Sequence, residues 1–273
     1  MRNRIIAGIA AGAIVGFGLV TPAYAATPGN ASLSVLHGIP DTPVDVWVNG
    51  ALTLDDFQPG DLAGPLDLAP GDYEVALTAT DATDASSPVL GPVTVSLAAD
   101  TNYTAVAHLG ETGTPTVTPF VNDTSTIAAG QGRLTVRHVA AAPAVDVLAG
   151  GAPVVEVLAN PDEATLTLPA STVSAAVAAA GTTEPVIGPA DVNVQEGVHT
   201  IVYAWGSLED ENLALAVQTI EGLHSTPEGV NSGTGGQLAE RDMMLQGMLL
   251  LGGLVIAAGA ATAVAARRAR VGS

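Results

Sequence analysis

Short runs of alternating apolar and polar residues cover most of the chain between residues 31 and 223. In "ASLSVLHG", Leu33, Val35 and His37 alternate with Ser32, Ser34 and Leu36; in "VDVWVNG", Val44, Val46 and Val48 alternate with Asp45, Trp47 and Asn49. Tyr73, Val75 and Leu77 follow the turn "APGD", and Val93, Val95 and Leu97 follow "GP". A period of two, broken roughly every 8–12 residues by Gly, Pro, Asp or Asn, predicts short strands of a two-sheet antiparallel sandwich. The alanine-rich "STVSAAVAAAG" has helical propensity but reads as a strand, because it aligns with "GDYEVALTATD", where the alternation is clearer.

That alignment belongs to an internal repeat. "LSVLH" corresponds to "LTVRH", "VDVWVNG" to "VDVLAGG", "LDLAP" to "LTLPA", "VLGPVTV" to "VIGPADV" and "YTAVAHLG" to "HTIVYAWG", in one order along both halves. The expected organisation is two tandem immunoglobulin-like β-sandwich domains, 31–123 and 132–223, each of roughly seven strands. The first hairpin carries the repeated motif: His37 and His138 sit inward at a strand end, Pro43 or Pro143 sets the turn, and Asn49-Gly50 reverses the chain. Each His is expected to donate to a turn carbonyl or carboxylate, with Asp41 the expected partner in copy one. Trp47 is expected to pack, since Leu148 takes its place in copy two.

Both termini break the pattern. Residues 1–25, with Arg2 and Arg4 before an apolar stretch and Ala23-Tyr24-Ala25 at its end, read as a secretory signal peptide. Residues 224–242, "HSTPEGVNSGTGGQLAERD", read as a flexible stalk. Residues 243–266 carry no charge and exceed the about 20 helical residues that cross a bilayer. Arg267, Arg268 and Arg270 in the tail 267–273 place that end in the cytoplasm, with the β-domains outside. No LPxTG-like pentapeptide precedes the span, which disfavours covalent attachment to the wall.

Charge narrows the partners. The chain has 8 basic and 27 acidic residues and a formal net charge of -19. Five of the basic residues lie at the termini, leaving Arg133, Arg137 and Arg241 among all the acidic ones. Such a field repels nucleic acid and anionic lipid surfaces, while cations and basic proteins remain compatible with it. There is no cysteine, so the exported part holds together by its core, and thiolate metal sites and cysteine nucleophiles are excluded.

The repeated motif resembles the bacterial domain-of-unknown-function family 4397, whose members open with a strand ending in His, a Pro/Asp turn and a Val-Asp-Val strand. Copy one keeps His37, Pro40, Asp41, Pro43, Val44, Asp45, Val46, Asn49 and Gly50. Copy two keeps Arg137, His138, Ala140, Pro143, Val145, Asp146 and Val147, without the turn Asp or the Asn-Gly pair. The resemblance implies exported, immunoglobulin-like β-domains, often tandem and surface-anchored, with no assigned activity. The Lys-free, Ala/Val/Gly/Thr-rich usage suits a high-GC actinobacterium.

Catalytic chemistry finds little support. There is no Gly-x-Ser-x-Gly, no HxH or HExxH, and few aromatic residues to line a sugar cleft. The expectation is a non-enzymatic, membrane-anchored surface protein without cofactor, in contact with cell-wall polymer or a surface protein. The alternative is a ligand-binding module that captures calcium or a small solute at the repeated hairpin, with Asp41, Asp45 and Asp146 as metal candidates. "TDATDASS" is a further oxygen-rich loop with no diagnostic order.

Overall fold

The computed structural model describes residues 29–225. The expected signal peptide (1–25) and transmembrane helix (243–266) lie outside these residues, as do the cytoplasmic tail and nearly all of the stalk. Among the described residues no helix is long and apolar enough to cross a membrane.

Among the described residues every regular element is a strand, eight in each repeat rather than about seven. The first repeat runs β1 (Ala31–Gly38), β2 (Val44–Val48), β3 (Ala51–Phe57), β4 (Leu62–Leu68), β5 (Gly71–Ala79), β6 (Leu90–Leu97), β7 (Asn102–Leu109) and β8 (Pro115–Asn122). The second runs β9 (Gln131–Ala141), β10 (Val145–Ala149), β11 (Ala152–Leu158), β12 (Glu163–Pro169), β13 (Ser171–Ala179), β14 (Pro185–Val194), β15 (His199–Ser207) and β16 (Ala214–Ile220). The alanine-rich segment is β13, a strand like its counterpart β5.

Four-stranded sheets result, ordered β3-β2-β5-β6 and β4-β1-β7-β8 in the first repeat, and β11-β10-β13-β14 and β12-β9-β15-β16 in the second. The expectation of a wholly antiparallel sandwich is corrected here. β1 lies parallel to β7, with Val35 opposite Ala105, and β9 lies parallel to β15, with Val136 opposite Val202. Period-two patterning encodes which face of a strand is buried and not which neighbour it pairs with, so the parallel pairs left no trace in the alternation.

Each repeat has its own core between its two sheets. In the first, Leu33, Val44, Val46, Phe57, Leu77, Val95 and Ala105 pack together; in the second, Val136, Val147 and Val177 form one group and Leu134, Val194 and Val202 another. A third cluster joins the repeats: Leu36, Val106 and Phe120 of the first pack with Val139, Ile201, Tyr203 and Trp205 of the second. The sheets holding β1, β7, β9 and β15 are therefore covered on both faces. All nine residues of β15 are buried, as are all but the first of β7. A strand covered on both faces needs no polar side, which is why "YTAVAHL" and "TIVYAWG" read as nearly continuous apolar runs.

The two cores differ in how well they fill. A cavity of about 180 Å3 remains between the sheets of the first repeat, against about 60 Å3 between those of the second. At roughly 24 cal/mol per Å3, a void of the first size left empty costs about 4 kcal/mol.

Candidate functional site

The first hairpin brings the motif residues together at one end of each sandwich. His37 Nε2 donates to the carbonyl oxygen of Thr42 at 2.7 Å, and His138 Nε2 to that of Pro143 at 3.1 Å. The acceptor is thus a turn carbonyl, and not Asp41 as the sequence suggested. Asp41 instead accepts from the Asn212 side-chain amide in the second repeat, at 3.0 Å. Both histidines are fully buried, and desolvation pushes their pKa below the ordinary value, so they are neutral rings at pH 7.

Asp45 and Asp146 are buried as well. Each faces a β-bulge on the neighbouring strand, where two residues oppose one: Asp55-Asp56 opposite Asp45, and Glu156-Val157 opposite Asp146. The second bulge residue in each case has positive φ, 50° at Asp56 and 56° at Val157. The bulge turns that residue's N–H onto the buried carboxylate: Asp56 N–H donates to Asp45 at 2.9 Å, and Val157 N–H to Asp146 at 2.8 Å. Asp146 also accepts Gly181 N–H at 2.8 Å.

The hairpin turns agree in geometry despite different residues. Asn49 and Gly50 have φ of 50° and 77°, and Gly150 and Gly151 have 58° and 83°. Two consecutive positive φ values are those of a type I′ turn, which Asn-Gly and Gly-Gly both adopt readily. Asn49 Oδ1 also accepts Glu74 N–H at 2.9 Å. Trp47 is buried and donates to Thr78 Oγ1 at 2.9 Å, consistent with packing. Pro43 is exposed at the turn before β2.

The proposed metal ligands do not converge as a set. Asp41 is bound to Asn212, and Asp146 lies in the other repeat. What does converge is Asp45, Asp55 and Asp56, whose ligand oxygens lie within 4.8 Å of one another. The Asp45 carboxylate beside it holds the Asp55 carboxyl above its usual range. Asp55 and Asp56 escaped the sequence reading because a regular strand would put neighbours on opposite faces, and only the bulge sets both against Asp45. "LDDF" beside "VDVWVNG" was the available signal. Copy two lacks the third carboxylate, having Val157 there. "TDATDASS" is an exposed loop in which Asp84 accepts the N–H of Ser86 at 2.9 Å.

A polar network that sequence reasoning missed runs between the repeats. The Arg137 guanidinium is buried over the Phe120 ring at 4.4 Å and near the Tyr203 ring at 5.4 Å. It donates to Glu163 at 2.7 Å and to the Tyr203 hydroxyl at 2.8 Å. Gln218 Oε1 accepts from Tyr203 at 2.6 Å and from Thr104 of the first repeat at 2.9 Å. Asn160 donates to the carbonyl oxygens of Leu109, across the junction, and Ala140. Arg133 pairs with Asp123 at 3.2 Å, and His199 donates from Nδ1 to the Asp123 carbonyl at 3.0 Å. Burial takes the His199 pKa down to about 4. Copy one has Leu36 where Arg137 stands, so this member of the motif works only at the junction.

The fold is that of an all-β protein made of repeated four-stranded sheets. The family described as "Domain of unknown function (DUF4397)" matches residues 31–148, the family that the repeated motif resembles. The match spans the first repeat and ends inside the repeated motif of the second, at Leu148. No curated protein matches. A solved structure, the Bacillus anthracis TIE protein, aligns at 13% identity with a TM-score of 0.18, covering 72% of this chain and 32% of that one. This chain thus spans about a third of that protein's length.

Proposed function

We propose that this protein is a non-enzymatic surface protein of the bacterial envelope. It is exported by residues 1–25 and anchored by residues 243–266, with its β-body outside and its C-terminus in the cytoplasm. Its role is structural or adhesive, toward cell-wall polymer or another surface protein. The observation that carries this reading is how the motif's polar side chains are used. His37, His138, Asp45, Asp146 and Asn49 all bond backbone groups of their own repeat. The immunoglobulin-like reading gains support from neighbour relations: β3-β2-β5-β6 has the order of strands C′-C-F-G, and β1 lies beside β4 as B beside E. β7 then takes the place of strand A.

The test is topology in the full chain. Protease added to intact cells should digest the β-body while a C-terminal tag stays protected; a body shielded in intact cells contradicts the reading.

A second reading, capture of a divalent cation such as calcium, is favoured by Asp45, Asp55 and Asp56 in the first repeat. Three carboxylates with oxygens within 4.8 Å suit an oxygen-seeking cation. Arg133 and Arg137, the basic residues among those described, are engaged at the junction instead.

A further inference from the structure

Among the described residues eight strands lie at sheet edges, and they are not protected alike. An edge strand presents unpaired backbone N–H and C=O groups to any passing strand, and proteins block it with proline, charge or a bulge. Seven of the eight carry a proline or a charged residue within their span, such as Pro65 in β4, Pro92 in β6 and Pro189 in β14. β16, "ALAVQTI", has neither, and it pairs with β15 without a bulge.

The open side of β16 follows from its register. Asn212 N–H donates to the Ser207 carbonyl oxygen at 3.2 Å, in step with the β15–β16 ladder. Bonded and non-bonded pairs alternate along an antiparallel ladder, so Ala214, Ala216 and Gln218 bond β15, while Leu215, Val217 and Thr219 direct their backbone groups outward. No other backbone group among the described residues takes these up. Both faces of the strand are held: Ala214, Ala216 and Ile220 pack on the junction cluster, and Leu215 packs on the core of the second repeat. The edge is a fixed template, and Val217 is 55% exposed on it.

The first repeat supplies an internal comparison. There Gly110 N–H donates to the Thr114 carbonyl oxygen at 2.8 Å, in step with the β7–β8 ladder, so Val117, Pro119 and Val121 are the outward positions. Ala105 pairs with Val35 and Pro119 as Val202 pairs with Val136 and Val217, so Pro119 stands where Val217 does. Proline has no N–H to offer. The first repeat's edge is closed at the position where the second repeat's is open.

Charge says what fits. Exposed Glu209, Asp210 and Glu211 precede β16, and exposed Glu221 follows it. Pairing β16 with that of a second copy would set these carboxylates against one another, in the parallel and antiparallel senses alike. The basic residues among those described, Arg133 and Arg137, are buried and do not offset them. A strand with basic ends meets the opposite situation at both ends of β16.

We infer that the open edge of β16 docks an extended segment of a partner protein as an added strand, with an uncharged middle and Lys or Arg at both ends. Backbone pairing supplies the attachment, and the acidic brackets select the partner. The inference stands on this edge alone and holds whichever side of a membrane the body occupies.

The test follows amide exchange in the full chain with three peptides, KKTVTVTVKK, EETVTVTVEE and the proline-interrupted KKTVPPTVKK. The first should slow exchange of the Val217 and Thr219 amides several-fold, and the other two should not. Its binding should weaken as salt rises. Val217→Pro, which carries the first repeat's residue, removes an outward N–H and no internal bond, so it should stay folded and lose the protection at Thr219. The combined Glu209→Gln, Glu211→Gln and Glu221→Gln variant should bind several-fold more weakly. If Val217→Pro does not fold, the proline-interrupted peptide makes the same test from the partner's side. Equal protection by that peptide, undiminished binding to folded Val217→Pro, or no protection at Val217 would each overturn the inference. Amides already protected without peptide would overturn it too, assigning the edge to a second copy if protection grows with chain concentration and to the chain itself if it does not.

Discussion

At the scale of single residues, the repeated motif is a set of short tethers. Asp146 takes two backbone N–H groups inside the fold, and removing a buried acceptor leaves both unsatisfied. Asp146→Ala should therefore lower stability by about 1–3 kcal/mol in denaturant titration, with no dependence on calcium. The buried histidines predict a pH dependence. His37, His108, His138 and His199 all have folded-state pKa values below the ordinary 6.5, with desolvation the leading cause. Below about pH 6.5 the unfolded chain takes up protons that the folded chain refuses, so stability falls as pH falls. For His199 the loss continues down to its folded value of about 4. Thermal midpoints measured from pH 7.5 to 4.5 should decline steadily, and His199→Gln should flatten the slope. A midpoint independent of pH across that window would contradict the burial of these rings.

At the scale of elements, alternation made β1, β2, β5 and β6 legible, and the alignment carried those assignments into the second repeat even where alanine blurred them. The bulges opposite Asp45 and Asp146 were not legible. A bulge depends on a residue accepting positive φ, and Val157 gives no hint of that, being β-branched and 66% exposed. This makes Val157 the strained member of its hairpin. Val157→Asn, a residue that tolerates the left-handed region, should raise stability by about 1 kcal/mol in denaturant titration. A loss would show that the β11 bulge is not held as described. Strand partners were equally hidden, since the parallel pairing of β1 with β7 joins residues about 70 positions apart in sequence.

At the scale of the whole molecule, the repeats share an interface whose polar members come from distant parts of the chain. Arg137, Tyr203, Gln218 and Thr104 carry no common motif, so their network could not be read before their strands were placed. The guanidinium of Arg137 is 1% exposed, and Glu163, its carboxylate partner, is partly exposed. Truncation by Arg137→Ala removes the ring contacts and the hydrogen bond that the buried Tyr203 hydroxyl accepts, while that hydroxyl keeps its bond to Gln218; the loss should be about 1–3 kcal/mol. Calorimetry should show the loss as a lower midpoint for the joined repeats. A change under 1 kcal/mol would mean that the junction contributes little.

The central claim is that the repeated hairpin is scaffold, its carboxylates engaged by backbone groups rather than by a ligand. The most direct measurement is thermal unfolding of the full chain, unmodified and as Asp45→Asn and Asp146→Asn, with and without millimolar calcium. The account predicts that Asp146→Asn, which loses one of two N–H bonds, lowers the midpoint more than Asp45→Asn does, and that calcium moves none of the three. A rise of several degrees with calcium, lost in Asp45→Asn and kept in Asp146→Asn, would contradict it. The carboxylates of Asp45, Asp55 and Asp56 would then be a cation site.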